Sequence, residues 1–205
     1  MAGPGVEGAR QNATLIGGGF EAAADIYQRA IATPSSVMRN VWMLDMMVDS
    51  AMAEVMIGRP DAALTTIAGL DEYDLPTMDG TNVRALAHLA LGDIGTATDH
   101  IRQHAKRAAT GRYSRESCDA MVLLAALAHH LGDDDAARQF ILDAGVGRSS
   151  GSFGLARHLA VQLDIADKHA AGLHELLQPG NPHGPLGATR SLRALRNELT
   201  CRGWD

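Results

Sequence analysis

Cysteine is nearly missing from this chain: Cys118 and Cys201 are the only 2 among its 205 residues. They lie far apart and follow neither disulfide nor zinc spacing, so reduced thiols are expected and a disulfide scaffold is excluded. Aromatic residues make up 4% and β-branched runs are scarce, which argues against a sheet-built core. Positive charge is not in excess: 18 Lys and Arg against 24 Asp and Glu give a formal net charge of −6. Phosphate binding needs clustered Lys and Arg, so direct nucleic-acid binding is not expected. No run of about 18 apolar residues occurs, so no membrane span is expected. Residues 1–9 carry no basic patch followed by an apolar core, which excludes a secretion signal there and favours a cytoplasmic reading. Serines fall in caps and loops, and neither cysteine has a local basic partner that would activate it. The reading is a non-enzyme with no cofactor and no metal.

What is present is small and helix-forming. Hydrophobic residues reach 46%, rich in Ala, Leu and Met, a mix that suits closely packed helices. One turn pattern recurs, a glycine followed five residues later by alanine: Gly18 to Ala23, Gly58 to Ala63, Gly92 to Ala97, Gly132 to Ala137. The closing alanines at 23, 63, 97 and 137 are 40, 34 and 40 residues apart. A period near 34 is a signature of stacked helical hairpins. Small residues flank each turn (Ala51 and Ala53, Ala85 and Ala87, Ala125 and Ala126), as antiparallel helices that approach closely require. Each hairpin has only one apolar face to bury, so its neighbour must stack on it.

Apolar spacing at three and four residues predicts a weak helix over 9–16, then helices over 20–32, 37–57, 60–71, 81–91, 94–109, 115–131, 134–144, 153–165, 168–177 and 188–202. Pro60 sits in a first helical turn, where its missing N–H costs little. Ala171, 34 residues after Ala137, predicts a last hairpin in which Ala166 and Asp167 stand in for the turn glycine. The domain reading is a flexible N-terminus at 1–8, a repeat domain at 9–178, a linker at 179–187, and a capping helix with its tail at 188–205.

These residues resemble the tetratricopeptide family. That family places an alanine near the start of the second helix, a large apolar or aromatic residue four positions on, and often another alanine three after that. Ala23, Tyr27 and Ala30 with Pro34 match best. Ala63 with Ile67 and Leu70, Ala97 with Ile101, and Ala137 with Ile141 and Ala144 match in part. The resemblance covers most of residues 18–177, lacks the family's usual first-helix aromatic and carries two six-residue insertions. It is nearest to the repeat regions of bacterial transcriptional regulators and signalling ATPases. It implies an all-α superhelix of antiparallel hairpins and a concave face that receives a protein or peptide.

Five features are candidates for that contact. The methionine-rich helix is the first, with Met38, Met43, Met46, Met47, Met52 and Met56: polarizable methionines suit a groove for a partner helix, a small apolar ligand or a homodimer contact, and the competing reading is ordinary core. The second is a column of acids, Asp45, Asp79 and Asp119, in phase with the repeat, which would receive a basic peptide or merely complement helix dipoles. In the same register Met52, Val55, Met56, Asn82, Leu86, His129 and His130 are placed on the concave face. Third, His100 and His104 stand one turn apart, with His88, His129 and His130 late in first helices. The spacing permits a shared metal, yet no carboxylate or cysteine completes a familiar motif. The fourth is the loop from Gly145 to Gly151 with Arg148, which lacks the lysine and strand of a phosphate loop. The last helix, fifth, sets Leu192, Leu195 and Leu199 against Arg190, Arg193, Arg196 and Arg202, as a cap sealing the stack would. The function expected is an interaction or ligand-sensing module in bacterial signalling or transcriptional regulation. A self-associating scaffold, and an enzyme using the histidines, are the alternatives.

Overall fold

A computed structural model of the chain describes residues 19–32, 41–72, 80–110, 114–144, 150–177 and 184–204. The helix expected over 9–16, Asp79, and most of the Gly145 loop and of the linker lie outside the described residues. Among the described residues ten α-helices are found: α1 (Phe20–Ala32), α2 (Val41–Met56), α3 (Pro60–Ala68), α4 (Thr81–Ala90), α5 (Ile94–Thr110), α6 (Ser114–His130), α7 (Asp134–Ala144), α8 (Ser150–Gln162), α9 (Ala166–Leu177) and α10 (Gly184–Arg202). A 3₁₀ turn at Gly69–Glu72 follows α3. No strand occurs among the described residues. Helices α8 and α10 begin earlier than the sequence pattern placed them, at Ser150 and Gly184.

The recurring glycine sets the register. Gly58, Gly92 and Gly132 have φ of 78°, 78° and 80°, the left-handed conformation that closes a helix and that glycine adopts without a Cβ clash. Each turn repeats the same paired bonds. The glycine N–H donates to the carbonyl three residues back and the next N–H to the carbonyl five residues behind it, as in Gly92 to Leu89 and Asp93 to His88, at 3.0 and 2.9 Å. Ala63, Ala97 and Ala137 then bond back to Arg59, Asp93 and Asp133. All three alanines are fully buried, where the second helix of each pair crosses the first.

A fourth turn has the same bonds without glycine. Asp164 adopts φ 57°, its N–H donates to Val161 and that of Ile165 to Ala160. Five residues after Asp164 stands His169, bonded back to Ile165 and buried. His169, not Ala171, therefore occupies the alanine position of the last pair, and Ala171 is exposed. Burial, and then the positive charge of Arg157, hold the His169 imidazole below its usual pKa.

Consecutive helices pack as antiparallel pairs: α2 with α3, α4 with α5, α6 with α7, α8 with α9. The first helices of these pairs also touch in order, α2 on α4, α4 on α6 and α6 on α8. The row then turns back on itself, for α2 also packs against α8, and Phe20 of α1 meets His158 of α8 edge to face at 6.1 Å. The main core is the resulting interior, with Met52, Leu86, Met121, Leu124, Leu159 and Leu163 among its buried side chains. A second, smaller core joins α1 to α2 through Ala23, Ala24, Tyr27, Met46 and Ala53.

Polar bonds fix the outer helices on this interior. Buried Glu54 of α2 uses both carboxylate oxygens: Gln28 of α1 donates to one at 2.8 Å and Thr66 of α3 to the other at 3.0 Å. The Tyr27 hydroxyl donates to Asp49 at 3.3 Å; burial, and then the Asp49 charge, push its pKa far up, so it stays a donor. Helix α10 packs chiefly on α6, and also on α5 and α7. Leu195 and Leu199 are buried there, and Arg196 donates two N–H groups to the Ala109 carbonyl, at 3.2 and 2.9 Å. Trp204 is buried between the guanidinium groups of Arg102 and Arg202, 5.1 and 5.3 Å from its ring centre.

Candidate functional site

The residues assigned to a concave face separate into three environments. Met52, Leu86, Asn82 and Asp119 are buried. Val55, Met56 and His129 are half-buried, with Val55 and Met56 packed on the main core. Asp45 and His130 are exposed. The physical reason is the contact of α2 with α8, which turns the inner side of the row into interior. Met46 is buried too and Met47 packs on the core, so the methionines of α2 that are described serve as packing.

The inner positions are not all apolar. Near the starts of α4, α6 and α8 lie buried Thr81, Asn82, Ser117, Asp119 and Ser152. Arg107 of α5 donates to the Thr81 hydroxyl at 2.9 Å, and the Asn82 side chain accepts from the Val83 N–H at 2.9 Å. Asp45 and Asp119 hold the same place relative to their turns yet differ in exposure, so the acids in phase do not form one surface.

The histidines disperse as well. His88 stacks on His100 with ring centres 5.6 Å apart and lies 3.4 Å from Asp93. His129 bonds Asp134 at 2.7 Å. Partial burial, and then the nearby His129, hold His158 below its usual pKa. Among the described residues, no group of three or more His, Cys, Asp or Glu is placed to hold a metal, and no helix is long and apolar enough to cross a membrane.

Neither a family model, nor a curated protein, nor a solved structure matches the chain.

One surface stands out from the rest of the fold. Among the described residues the exposed large apolar side chains are Leu91, Leu131, Leu142 and Val161. Three of these share one edge, where first helices end and turn into second ones: Leu91 just past α4, Leu131 just past α6, and Val161 in the last turn of α8. They are 45%, 60% and 63% exposed. At the other two turns of this edge the matching residues are less exposed, Ile57 half-buried and Leu163 buried.

Exposed acids lie at the turns of this edge: Asp61, Asp93, Asp133, Asp135, Asp164 and Asp167. Part of their role is local. The carboxylates of Asp93 and Asp133 accept from the N–H groups of Thr96 and Ala136, each at 3.1 Å, capping α5 and α7. Hydrogen bonds from the Thr96 hydroxyl, and then from its N–H, hold Asp93 below the usual carboxylate range. Capping accounts for Asp93 and Asp133, and Asp135 pairs with Arg138 at 2.8 Å; neither accounts for the leucines. The motif Leu-Gly-Asp at 91–93 and 131–133 carried this edge in the sequence; the glycine marks the turn, and the leucine before it is the residue left uncovered.

Proposed function

We propose that the protein is a non-enzymatic helical-repeat module that binds another protein through the edge formed by its turns. The carrying observation is the gathering of exposed Leu91, Leu131 and Val161 on that edge. Single exposed leucines are ordinary, whereas apolar groups gathered in one place on an otherwise polar surface mark contact sites. In this reading the pairs form a tetratricopeptide-like stack, supported by the common turn and the buried alanine five residues after each turn glycine. The edge replaces the concave face as the binding surface, because the inner side chains are already used in packing. The sequence resemblance to regulator repeats favours signalling or transcriptional control as the setting for such a contact.

Site-specific photo-crosslinking in cells tests this. A photoreactive residue at position 131 should join the chain to a defined second protein, and one at position 142, exposed but remote from the edge, should not. Equal labelling from both positions, or none from 131, overturns the reading.

A further inference from the structure

We infer that the occupant of this edge is a basic amphipathic helix of a partner protein; the inference rests on the interaction-module reading above. Its geometry follows from the packing of α4 on α6. Both helices run toward the edge, so Leu91 and Leu131 project from the ends of adjacent, parallel neighbours. Packed helix axes are about 8–10 Å apart. Residues seven apart on one face of a helix are separated by about 10 Å. A helix laid across the edge thus sets two apolar side chains, at i and i+7, against Leu91 and Leu131, the anchor spacing by which helices bind in grooves. Val161, on the next first helix, flanks the second anchor.

Charge selects the flanks of that helix. Asp93 lies two residues after Leu91, and Asp133 and Asp135 lie two and four residues after Leu131. Asp164 and Asp167 border Val161. The basic residues at or reaching these turns are Arg59, Lys168 and Arg138, whose guanidinium pairs with Asp135 at 2.8 Å and donates to the Leu163 carbonyl at 3.0 Å; the carboxylates outnumber them. Asp93 and Asp133 spend acceptor directions on their caps, Asp93 also faces His88 at 3.4 Å and Asp135 pairs with Arg138, and a carboxylate has further directions to offer. Lys and Arg beside the apolar anchors complement this edge, whereas anionic lipid and nucleic acid are repelled by it. The acids steer encounter and choose the partner, and the leucines hold it.

The test is fluorescence anisotropy on the full chain with a labelled synthetic helix of about 15 residues, bearing leucines seven apart and lysines on both flanks. Two control peptides carry glutamate for lysine, or serine for leucine. The basic amphipathic peptide should bind saturably, with affinity falling as salt rises, and both controls should bind at least about tenfold more weakly. Leu131→Glu and Leu91→Glu should each weaken binding about tenfold or more, with the helical circular dichroism unchanged, and Leu142→Glu should leave it unaltered. Three results overturn the proposal: no saturable binding, equal binding of the acidic peptide, or equal loss in Leu142→Glu. Self-association that is abolished by Leu131→Glu overturns it in favour of a second copy as occupant. A position-131 cross-link to a partner that contacts it through no basic helix refutes this inference and leaves the module reading standing.

Discussion

The sharpest test of the packing lies at Gly80, which precedes α4. Its φ of 62° alone disfavours a side chain, as at the turn glycines. What sets it apart is its neighbour: a Cβ there would stand 2.7 Å from Ile67 Cδ1 and 2.8 Å from Ile67 Cγ2. Ile67 is fully buried, and its Cγ2 is fixed by the branched Cβ, so it cannot swing aside as a terminal methyl can. Gly132 has φ 80° and nothing within 4 Å of such a Cβ. Gly132→Ala should therefore cost only the left-handed backbone, about 1–2 kcal/mol. Gly80→Ala should cost that plus overpacking of about 1–3 kcal/mol. The reduction in unfolded-chain entropy on replacing glycine is common to both and cancels in the difference. At about 2–4 °C per kcal/mol for a domain of this size, the two variants should melt visibly apart. Urea denaturation followed by circular dichroism reads the difference directly. Combining Gly80→Ala with Ile67→Ala should recover part of the loss, because the new methyl enters space the isoleucine leaves, giving a coupling of about 1 kcal/mol or more. Equal destabilisation at 80 and 132, or strict additivity with Ile67→Ala, refutes the reasoning.

Three further outcomes follow from other contacts. Asp164→Gly should raise stability by up to about 1 kcal/mol and Asp164→Val should lower it by about as much, since position 164 is left-handed; thermal melts of the pair check this. Gln28→Ala should cost about 1.5–3 kcal/mol, for it leaves an oxygen of buried Glu54 without its donor, and denaturant midpoints compared with an exposed control will show it. His158 and His169 are both held below their usual pKa. On acidification through about pH 6.5 the unfolded chain takes up their protons before the folded one does, so stability is highest above that range and falls beneath it. The double replacement of both histidines by Gln should flatten this part of the pH–stability curve, and an unchanged curve would remove them as its source.

The sequence made the local geometry legible because each turn carries its own chemistry. Glycines at 58, 92 and 132 are required by positive φ, and the alanines five residues later by close helix crossing; both kinds of signal sit within one turn of the place they act. The fourth turn hid because Asp164 tolerates the left-handed region without announcing it. Counting the 34-residue period from Ala137 then led to Ala171 rather than to His169, two residues short of it. The contact of α2 with α8 could not be read, since helical periodicity records which face is buried and not against what. For that reason the repeat register does not announce that Met52, Leu86, Asn82 and Asp119 are buried inside the fold. The exposed edge is hard to read for a related reason: a leucine at a helix end looks like one more core residue until its neighbours are known.

The return of α2 onto α8 governs how the chain folds as well as how it packs. In an open row each hairpin answers only to its neighbours, so unfolding can start at an end and travel inward pair by pair. Here residues 41–56 and 150–162 hold each other, and a loss at one end of the row is felt at once at the other. Such a contact is rewarded only after a long segment has been closed, which delays its formation relative to the hairpins. The hairpins thus supply early local order, and the closing contact makes their melting a shared event.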